Sequence, residues 1–467
     1  MKTVQLLTAA ALVVGAALNL RGQQRPPAFK LLRDQESYAY LGADTLYAQR
    51  TAWERLKFMP LGARRTFHLS VGGEIRQQFE YFNNTNWGEG PEDRNGYLLQ
   101  RYQLHTDWQL GTYVRVFAQL KSGLVYGKAG GPEPPDEDRL DLHQAFADLR
   151  LPTGPQSSDL TVRVGRQELS YGSSRLVSVR EGPNVRQSFD ALKVVHRAPG
   201  RQIDAFVSRP VQTNRRAFDD GSDPDRVFWG AYSVQRLPSL PGASVDLYYL
   251  GLRDRAARFQ EGEALERRHS LGLRLWNQES SFTYNVEGVY QFGSFGPGAV
   301  RAYTLSANVV RTWEQLRGQP RLELRTEVIS GDRRPSDGQL QTFNPLFPKG
   351  SYFGQVALVG PANLVDLHPL VAIQPASEVS VSFDADLFWR HSRRDGLYAV
   401  PYVPIRAAGA SRARHIGNQY TLTGSWEPTA FWSCELFVTY FTAGRFLRET
   451  GAGRNLTFVA PRLTLRF

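Results

Sequence analysis

From Thr66 to Phe82 the chain alternates in polarity. Phe67, Leu69, Val71, Gly73, Ile75, Gln77, Phe79 and Tyr81 fall on one side, and His68, Ser70, Gly72, Glu74, Arg76, Gln78 and Glu80 on the other. A repeat of two residues is the signature of a strand and not of a helix. Soluble strands usually run about 5–6 residues, and this one keeps its alternation for about three times that length. A long strand with apolar residues on one face and charges on the other is what a membrane-spanning β-barrel requires, lipid outside and water or protein inside.

The pattern recurs along the rest of the chain. It predicts strands over 66–82, 97–110, 112–125, 142–151, 160–168, 190–197, 201–209, 227–237 and 243–254, then over 267–277, 281–293, 300–314, 320–331, 364–375, 377–392, 414–427, 432–446 and 455–467. Eighteen strands is an even number, as in single-chain outer-membrane barrels. Tight turns are predicted at Gly111, Pro199-Gly200, Pro238 to Gly242 and Ser377. Longer polar loops are predicted near 83–96, 126–141, 169–189, 210–226, 255–266, 332–363, 393–413 and 447–454. Short turns at one end and long loops at the other are the barrel layout. The last strand places Val459, Pro461, Leu463, Leu465 and the terminal Phe467 on one face. Trp108, Tyr113, Trp389, Trp426 and Trp432 lie near strand ends, where interfacial aromatic belts sit.

Mean hydropathy is −0.40. After residue 20 no 18-residue apolar run occurs, which excludes transmembrane helices but not a barrel, whose inward polar residues dilute its hydropathy. Met1 to about Gly22 reads as a secretory signal peptide, with Lys2 ahead of an apolar core from Val4 to Leu18 and cleavage after Ala17 or Gly22. Residues 23–65 form a lead-in without long alternation, with a short helix or turn expected within Arg50 to Arg64, and the barrel itself is assigned to 66–467. Cys434 is the lone cysteine, so no intrachain disulfide supports the fold. Net charge is +11, and 49 of the 56 basic residues are arginine. Arginine presents a planar fork that grips carboxylate or phosphate, although a GC-rich genome also inflates arginine. The basic residues are scattered and no nucleic-acid motif occurs, so nucleic acid is not an expected partner.

The most distinctive stretch is Val164 to Leu192, with Gly165-Arg166-Gln167-Glu168-Leu169-Ser170-Tyr171-Gly172, Ser174-Arg175-Leu176-Val177 and Pro183-Asn184-Val185-Arg186-Gln187-Ser188-Phe189-Asp190. With Leu56 to Leu61, Gly72 to Arg76, Leu99 to Tyr102, Arg115-Val116-Phe117, Asp141 to Phe146, Ser330-Gly331-Asp332 and Phe343 to Pro348, it resembles the alginate export family of outer-membrane porins, over about residues 50–467. The resemblance implies an eighteen-stranded barrel that secretes an acidic polysaccharide of uronic acids through an arginine-rich constriction. Carried onto the matching motifs, it implies constriction residues Lys57, Arg76, Arg101, Arg115, Arg166, Arg186 and Asp190.

Strand parity tests that set. Arg76, Arg101 and Arg115 fall on the inward row of their strands. Arg166 shares parity with Leu160, Val162 and Val164, so either a bulge at Gly165 intervenes or the strand has already left the membrane at that point. Inward cations on the predicted strands are Arg76, Arg101, Arg115, Lys121, Arg150, Arg163, Arg274, Arg325, Arg390, Arg462 and Arg466. Inward acids are Glu74, Glu80, Asp107, Asp148, Asp204, Asp246, Glu287, Glu323, Glu327, Asp384 and Asp386. Eleven against eleven predicts cross-strand pairing, with selectivity set by a local arginine ring.

No catalytic site is expected. No Gly-x-Ser-x-Gly elbow occurs, and His143 and Ser170 have neither the parity nor the spacing of a lipase pair. Asp219 to Asp225 lacks the closing glutamate of a calcium loop and reads as a solvated outer loop, as does Glu133 to Asp141. No zinc set and no cofactor motif is present. The expected protein is a monomeric, anion-selective outer-membrane channel for an anionic polysaccharide, with lipid and a periplasmic secretion complex as further partners. A general anion or small-solute porin and a plugged structural barrel stay open, the loops near 332–363 and 393–413 being the candidate plug or gate.

Overall fold

The computed structural model describes residues 29–42, 51–62, 65–92, 95–154, 158–278 and 281–467. The predicted signal peptide and its cleavage site lie outside the described residues. Eighteen long strands follow one another: β1 (Phe67–Asn83), β2 (Tyr97–Leu110), β3 (Val114–Tyr126), β4 (Asp138–Gly154), β5 (Ser158–Gln167), β6 (Phe189–Ala198), β7 (Arg201–Gln212), β8 (Arg226–Arg236) and β9 (Ala243–Phe259). Then come β10 (Gly262–Asn277), β11 (Phe282–Phe295), β12 (Gly298–Thr312), β13 (Arg321–Ile329), β14 (Leu364–Ala376), β15 (Val379–Arg390), β16 (His415–Trp426), β17 (Trp432–Ala443) and β18 (Leu456–Arg466). Each pairs antiparallel with its chain neighbours. β18 returns to β1 through Glu74↔Arg466 to Asn83↔Thr457. The sheet closes on itself, which satisfies every ladder without leaving an edge in lipid.

The alternation decides which way each side chain points. Leu104, Val164, Leu247, Leu271, Leu305 and Leu422 are exposed on the outer face, whereas Arg76, Arg101, Arg115, Asp148 and Asp246 are buried inside. Two predicted boundaries need correction. The expected loop 255–266 is instead the tip of a long hairpin in which β9 and β10 pair down to Phe259↔Gly262. Its polar residues Arg255, Glu261 and Glu263 were read as a loop, but Gly262 at φ +123° makes a tight turn possible. β4 also begins earlier than predicted, at Asp138, because irregularities between Gln119 and Gly123 shift the β3–β4 register and keep the polar residues of 138–141 paired.

The lumen is not uniformly polar. At the long-loop end, Phe206, Phe228, Tyr248, Phe388, Phe441 and Phe458 point inward from the wall and pack with Leu176, Val177, Phe343, Phe347 and Phe353 from two inward-folded loops, 168–188 and 330–363. Those loops are tied to each other where the Phe347 amide donates to the Leu176 carbonyl at 2.8 Å and the Ser178 amide to the Phe347 carbonyl at 2.9 Å. The segment 330–363 therefore folds inward as expected of it, while 168–188, read as an outer loop, does so too. The loop 391–414 lies across the mouth: Tyr402 reaches Asp254 on β9, and Arg406 reaches Glu89 beyond β1. The short helix α1 (Ala52–Lys57) forms within the segment where one was expected, started by a capping box of Thr51 and Glu54.

Gly165 sits in β5 at φ +126°, and a Cβ there would lie 2.3 Å from the Ala145 carbonyl oxygen. Gly165→Val should lower stability by about 1–3 kcal/mol from backbone strain alone. Gly424→Ala, where a Cβ meets nothing within 4 Å, should stay within about 0.5 kcal/mol of the parent. Urea midpoints of the heat-modifiable folded form give both values.

Candidate functional site

Three of the arginines singled out from the sequence converge on one carboxylate. Glu181, in the inward loop 168–188, accepts from Arg101 at 2.6 Å, lies 3.2 Å from Arg186 and 3.6 Å from Arg76. Parity puts Arg76 of β1 and Arg101 of β2 side by side, since they are direct cross-strand partners. Two adjacent like charges repel, and the loop relieves this with its own backbone. Arg76 donates to the carbonyls of Glu181 at 3.0 Å and Pro183 at 2.9 Å; Arg101 donates to those of Glu181 at 2.9 Å and Asn184 at 2.8 Å. Asn184 fixes the loop by donating to the carbonyls of Gln100, Leu124 and Asp136. Burial alone would raise the Glu181 carboxyl, but Arg101, Arg186 and Arg76 outweigh it and hold it well below the usual carboxylate range. Behind this group, Glu74 joins Arg101 at 3.2 Å to Arg466 at 3.0 Å.

Nearer the short-turn end lies a second basic group. Arg115 donates to both oxygens of Asp107 at 2.7 and 3.0 Å, and Arg163 to both oxygens of Asp148 at 2.7 and 2.9 Å. The N-terminal strap, 29–42, threads between them. Its Asp34 carboxylate meets Arg163 at 2.5 Å and its carbonyl accepts from Arg115 at 2.7 Å. Its Arg33 donates to the carbonyls of Gly73 and of the terminal Phe467, and its Leu31 carbonyl accepts from Arg186 at 2.9 Å. Between strap and wall is a cavity of about 680 Å³, lined by Arg115, Arg150, Arg163, Lys193, Asp107 and Asp204 and limited by Glu168 to Gly172 of the inward loop.

The remaining sequence-selected residues lie elsewhere. No register shift occurs at Gly165, because Ala145↔Arg166 and Phe146↔Gly165 are consecutive pairs. Arg166 therefore keeps the outward row of Val164 and clasps Asp190, on the outward row of Leu192, at 2.9 Å. As constriction residues, Arg166 and Asp190 are corrected: they form a clasp near the long-loop rim, closed by Ser222 at 2.5 Å from Asp190. Lys57 ends α1 fully buried, with no hydrogen-bond acceptor for Nζ among the described residues. Its ammonium is caged by Tyr38 at 5.0 Å, Phe29 at 5.8 Å and Trp53 at 5.9 Å, apart from the arginine group.

The acidic run Asp219 to Asp225 is not simply solvated. Asp220 turns to Lys121 at 2.7 Å beside Asp138 at 2.8 Å, and the ammonium stands where a cation would sit among Asp138, Asp141 and Asp220. Sequence reasoning missed Glu181, although it lies in the most distinctive stretch between two selected arginines. It also missed Arg33 and Asp34, which no periodicity marks.

A family model described as alginate export matches residues 67–459. No curated protein matches. Among solved structures, the chain resembles Pseudomonas aeruginosa OccK2 (OpdF), at 13% identity over 85% of this chain and 97% of that one, with a TM-score of 0.57. It also resembles the outer membrane protein opdK of the same organism, at 10% identity over 85% and 98%, TM-score 0.55. A structure of OccK2 (OpdF) in complex with glucuronate matches at 12% identity over 85% and 96%, TM-score 0.53.

Two pH effects follow. A carboxyl held below its unfolded value contributes stability that is fully present above the ordinary glutamate range and is lost progressively as pH falls from that range to the depressed value. Protection of loop 168–188 from protease should thus be as strong at pH 6 as at pH 7, whereas Glu181→Gln should raise nicking about tenfold at both, on the strength of hydrogen bonds to charged groups. Burial, with Arg33 beside it, pushes the Lys57 ammonium down to about 7 from 10.5. The unfolded chain then binds the extra proton between these values, so stability should rise with pH across that window, by roughly 5 kcal/mol at most. Lys57→Met should flatten the rise, as read from urea midpoints at pH 7, 9 and 10.5.

Proposed function

The chain belongs to the alginate export family and is an outer-membrane channel of the porin type, and we propose that it passes an anionic, uronate-type polysaccharide through the arginine group around Glu181. The observation that carries this reading is the arrangement of three guanidinium groups, from Arg76, Arg101 and Arg186, about a single carboxylate. Charge-assisted, forked contacts of this kind are what recognise carboxylates. In the reading, Glu181 stands in for the carboxylate of a polymer residue, and the loop's carbonyls stand in for its hydroxyls.

The arginines would then act by exchange. A uronate entering from the short-turn end, which is the periplasmic end in such barrels, first meets the cavity with Arg115, Arg150, Arg163 and Lys193. It next displaces Glu181, and the loop 168–188 swings from the arginine group as the polymer takes its place. A close match of strengths between the internal and external carboxylates would let the polymer bind and leave, as conduction requires. No bond is made or broken. Two findings favour a second reading, a channel for small uronates: the cavity is bounded on one side by the strap, and the same fold occurs in a protein solved in complex with glucuronate.

Single-channel conductance of the purified protein under a salt gradient tests both. The parent should show brief, anion-selective openings blocked by polymannuronate, and Glu181→Gln should open more often. Arg76→Gln/Arg101→Gln/Arg186→Gln should lose anion preference and block together; unchanged preference in that variant would sink the reading. Block by glucuronate with indifference to polymannuronate would select the small-uronate channel.

A further inference from the structure

Most arginines of the lumen are matched with carboxylates or carbonyls, and several arginines at the long-loop rim are matched too. Arg215 meets Glu137 at 2.7 Å, Arg226 meets Asp254 at 2.8 Å and Arg255 meets Asp225 at 3.5 Å. Five arginines without such a partner stand together. Arg333, Arg393, Arg394, Arg412 and Arg414 line a single pocket of about 1080 Å³ with His391. All five are exposed, and none has a carboxylate within ion-pair distance among the described residues. Nearby acids are engaged elsewhere. Asp395 is fully buried and accepts from Thr342 at 2.6 Å and Tyr398 at 2.7 Å; Glu449 is held by Arg445 and Ser411.

The pocket's position narrows what would fill it. Tyr303 of β12 lies on an outward row with Leu305, which is 57% exposed, so it faces lipid. Its hydroxyl lies 3.1 Å from His391 Nε2 and 3.2 Å from the Arg333 guanidinium. Trp389, two residues before His391, packs its ring on His415. The basic pocket therefore rests on the upper aromatic belt of the outer wall, and Arg301, two residues nearer the long-loop rim than Tyr303 on the same outward row, adds a further exposed cation above that belt. Aromatic belts mark headgroup depth. Burial, together with Arg333 and Arg414, lowers the imidazolium of His391 to about 4, as an excess of positive charge dictates.

We infer that this pocket binds the phosphorylated headgroup of an outer-leaflet glycolipid, on the outside of the barrel and independently of what the lumen carries. Five forked donors around an acid-free space suit two or more phosphates, each able to take bidentate contacts, and basic pockets at membrane depth take lipid headgroups by the same physics. A bound lipid would also tie the segments 330–336 and 391–414 together, since its phosphates would bridge arginines from both.

The test is a titration of the full-length protein in detergent micelles with fluorescent diphosphoryl lipid A, and separately with dephosphorylated lipid A. The parent should bind the diphosphoryl form and release it poorly to a polymannuronate competitor. Arg393→Gln/Arg412→Gln/Arg414→Gln should bind it about a hundredfold more weakly, while keeping the heat-modifiable mobility of a folded barrel. If that variant does not fold, Arg333→Gln/Arg394→Gln takes its place, with about a tenfold loss expected. Equal binding by the variants, equal binding of the dephosphorylated lipid, or displacement by polymannuronate would each overturn the inference, the last by making the pocket a polymer site.

Discussion

A buried guanidinium must have an acceptor. Leaving one without a partner inside protein is destabilising by about 3–5 kcal/mol, and a barrel wall with a two-residue repeat cannot avoid pointing charges inward. This constraint organises the molecule. Wall pairs such as Arg115–Asp107, Arg163–Asp148 and Arg274–Asp246 satisfy it within the sheet. Arg76 and Arg101 do so only in part, because they face each other across β1 and β2, and the wall carboxylate of Glu74, 3.2 Å from Arg101, is shared with Arg466. The chain answers with a loop from the far side of β5. Glu181 and the carbonyls of Glu181, Pro183 and Asn184 supply what the wall lacks. The inward loop follows from the arginines as much as from its own sequence.

Having entered, the loop needs a surface to rest on, and the wall provides one. Phe206, Phe228 and Phe388 face inward, where a water-filled channel would want polar residues, and they meet Leu176, Val177 and Phe347. Charge fixes where the loop ends, and apolar contact fixes how it gets there. The two halves of the lumen thus differ in kind, with a packed apolar core towards the long loops and a polar, charged cavity towards the short turns. Movement of the loop would require the polar contacts to be replaced, but the apolar ones only to slide.

The strands were legible because period two is a local property that lipid enforces over the whole height of the barrel. All eighteen lie close to their predicted limits, and the misplacements are at rims, where lipid no longer dictates the pattern, as at Phe259↔Gly262. Parity was a better guide than motif. It separated Arg76, Arg101 and Arg115 from Arg166, and the ladder through Ala145↔Arg166 keeps Arg166 on the outward row. Asp190, paired with Arg166 and on the outward row of Leu192, falls outside the lumen by the same parity. Loops carry no period, so neither Glu181 nor the strap pair Arg33 and Asp34 left a local signal. Their positions depend on partners 80 or more residues away in sequence, such as Arg101 and Arg115.

Balanced charge changes what selectivity means here. Wall charges of opposite sign pair with one another, as in Arg115–Asp107, Arg163–Asp148, Lys193–Asp204 and Arg274–Asp246, so an anion does not meet a row of free cations. It must compete, contact by contact, with acceptors the chain already supplies. At Arg101 those are the carboxylates of Glu181 at 2.6 Å and Glu74 at 3.2 Å and the carbonyls of Glu181, Pro183 and Asn184 within 2.9 Å. On the proposed reading, such a site would favour a ligand that brings both a carboxylate and neighbouring neutral oxygens in fixed relation, which a uronate ring does and a halide does not. The proposed exchange would also favour a repeating ligand, because the unit leaving the arginines would be followed by an identical one before Glu181 returned. Discrimination then lies in the replacement step, and the density of internal partners that seems to block the channel is what would make it specific.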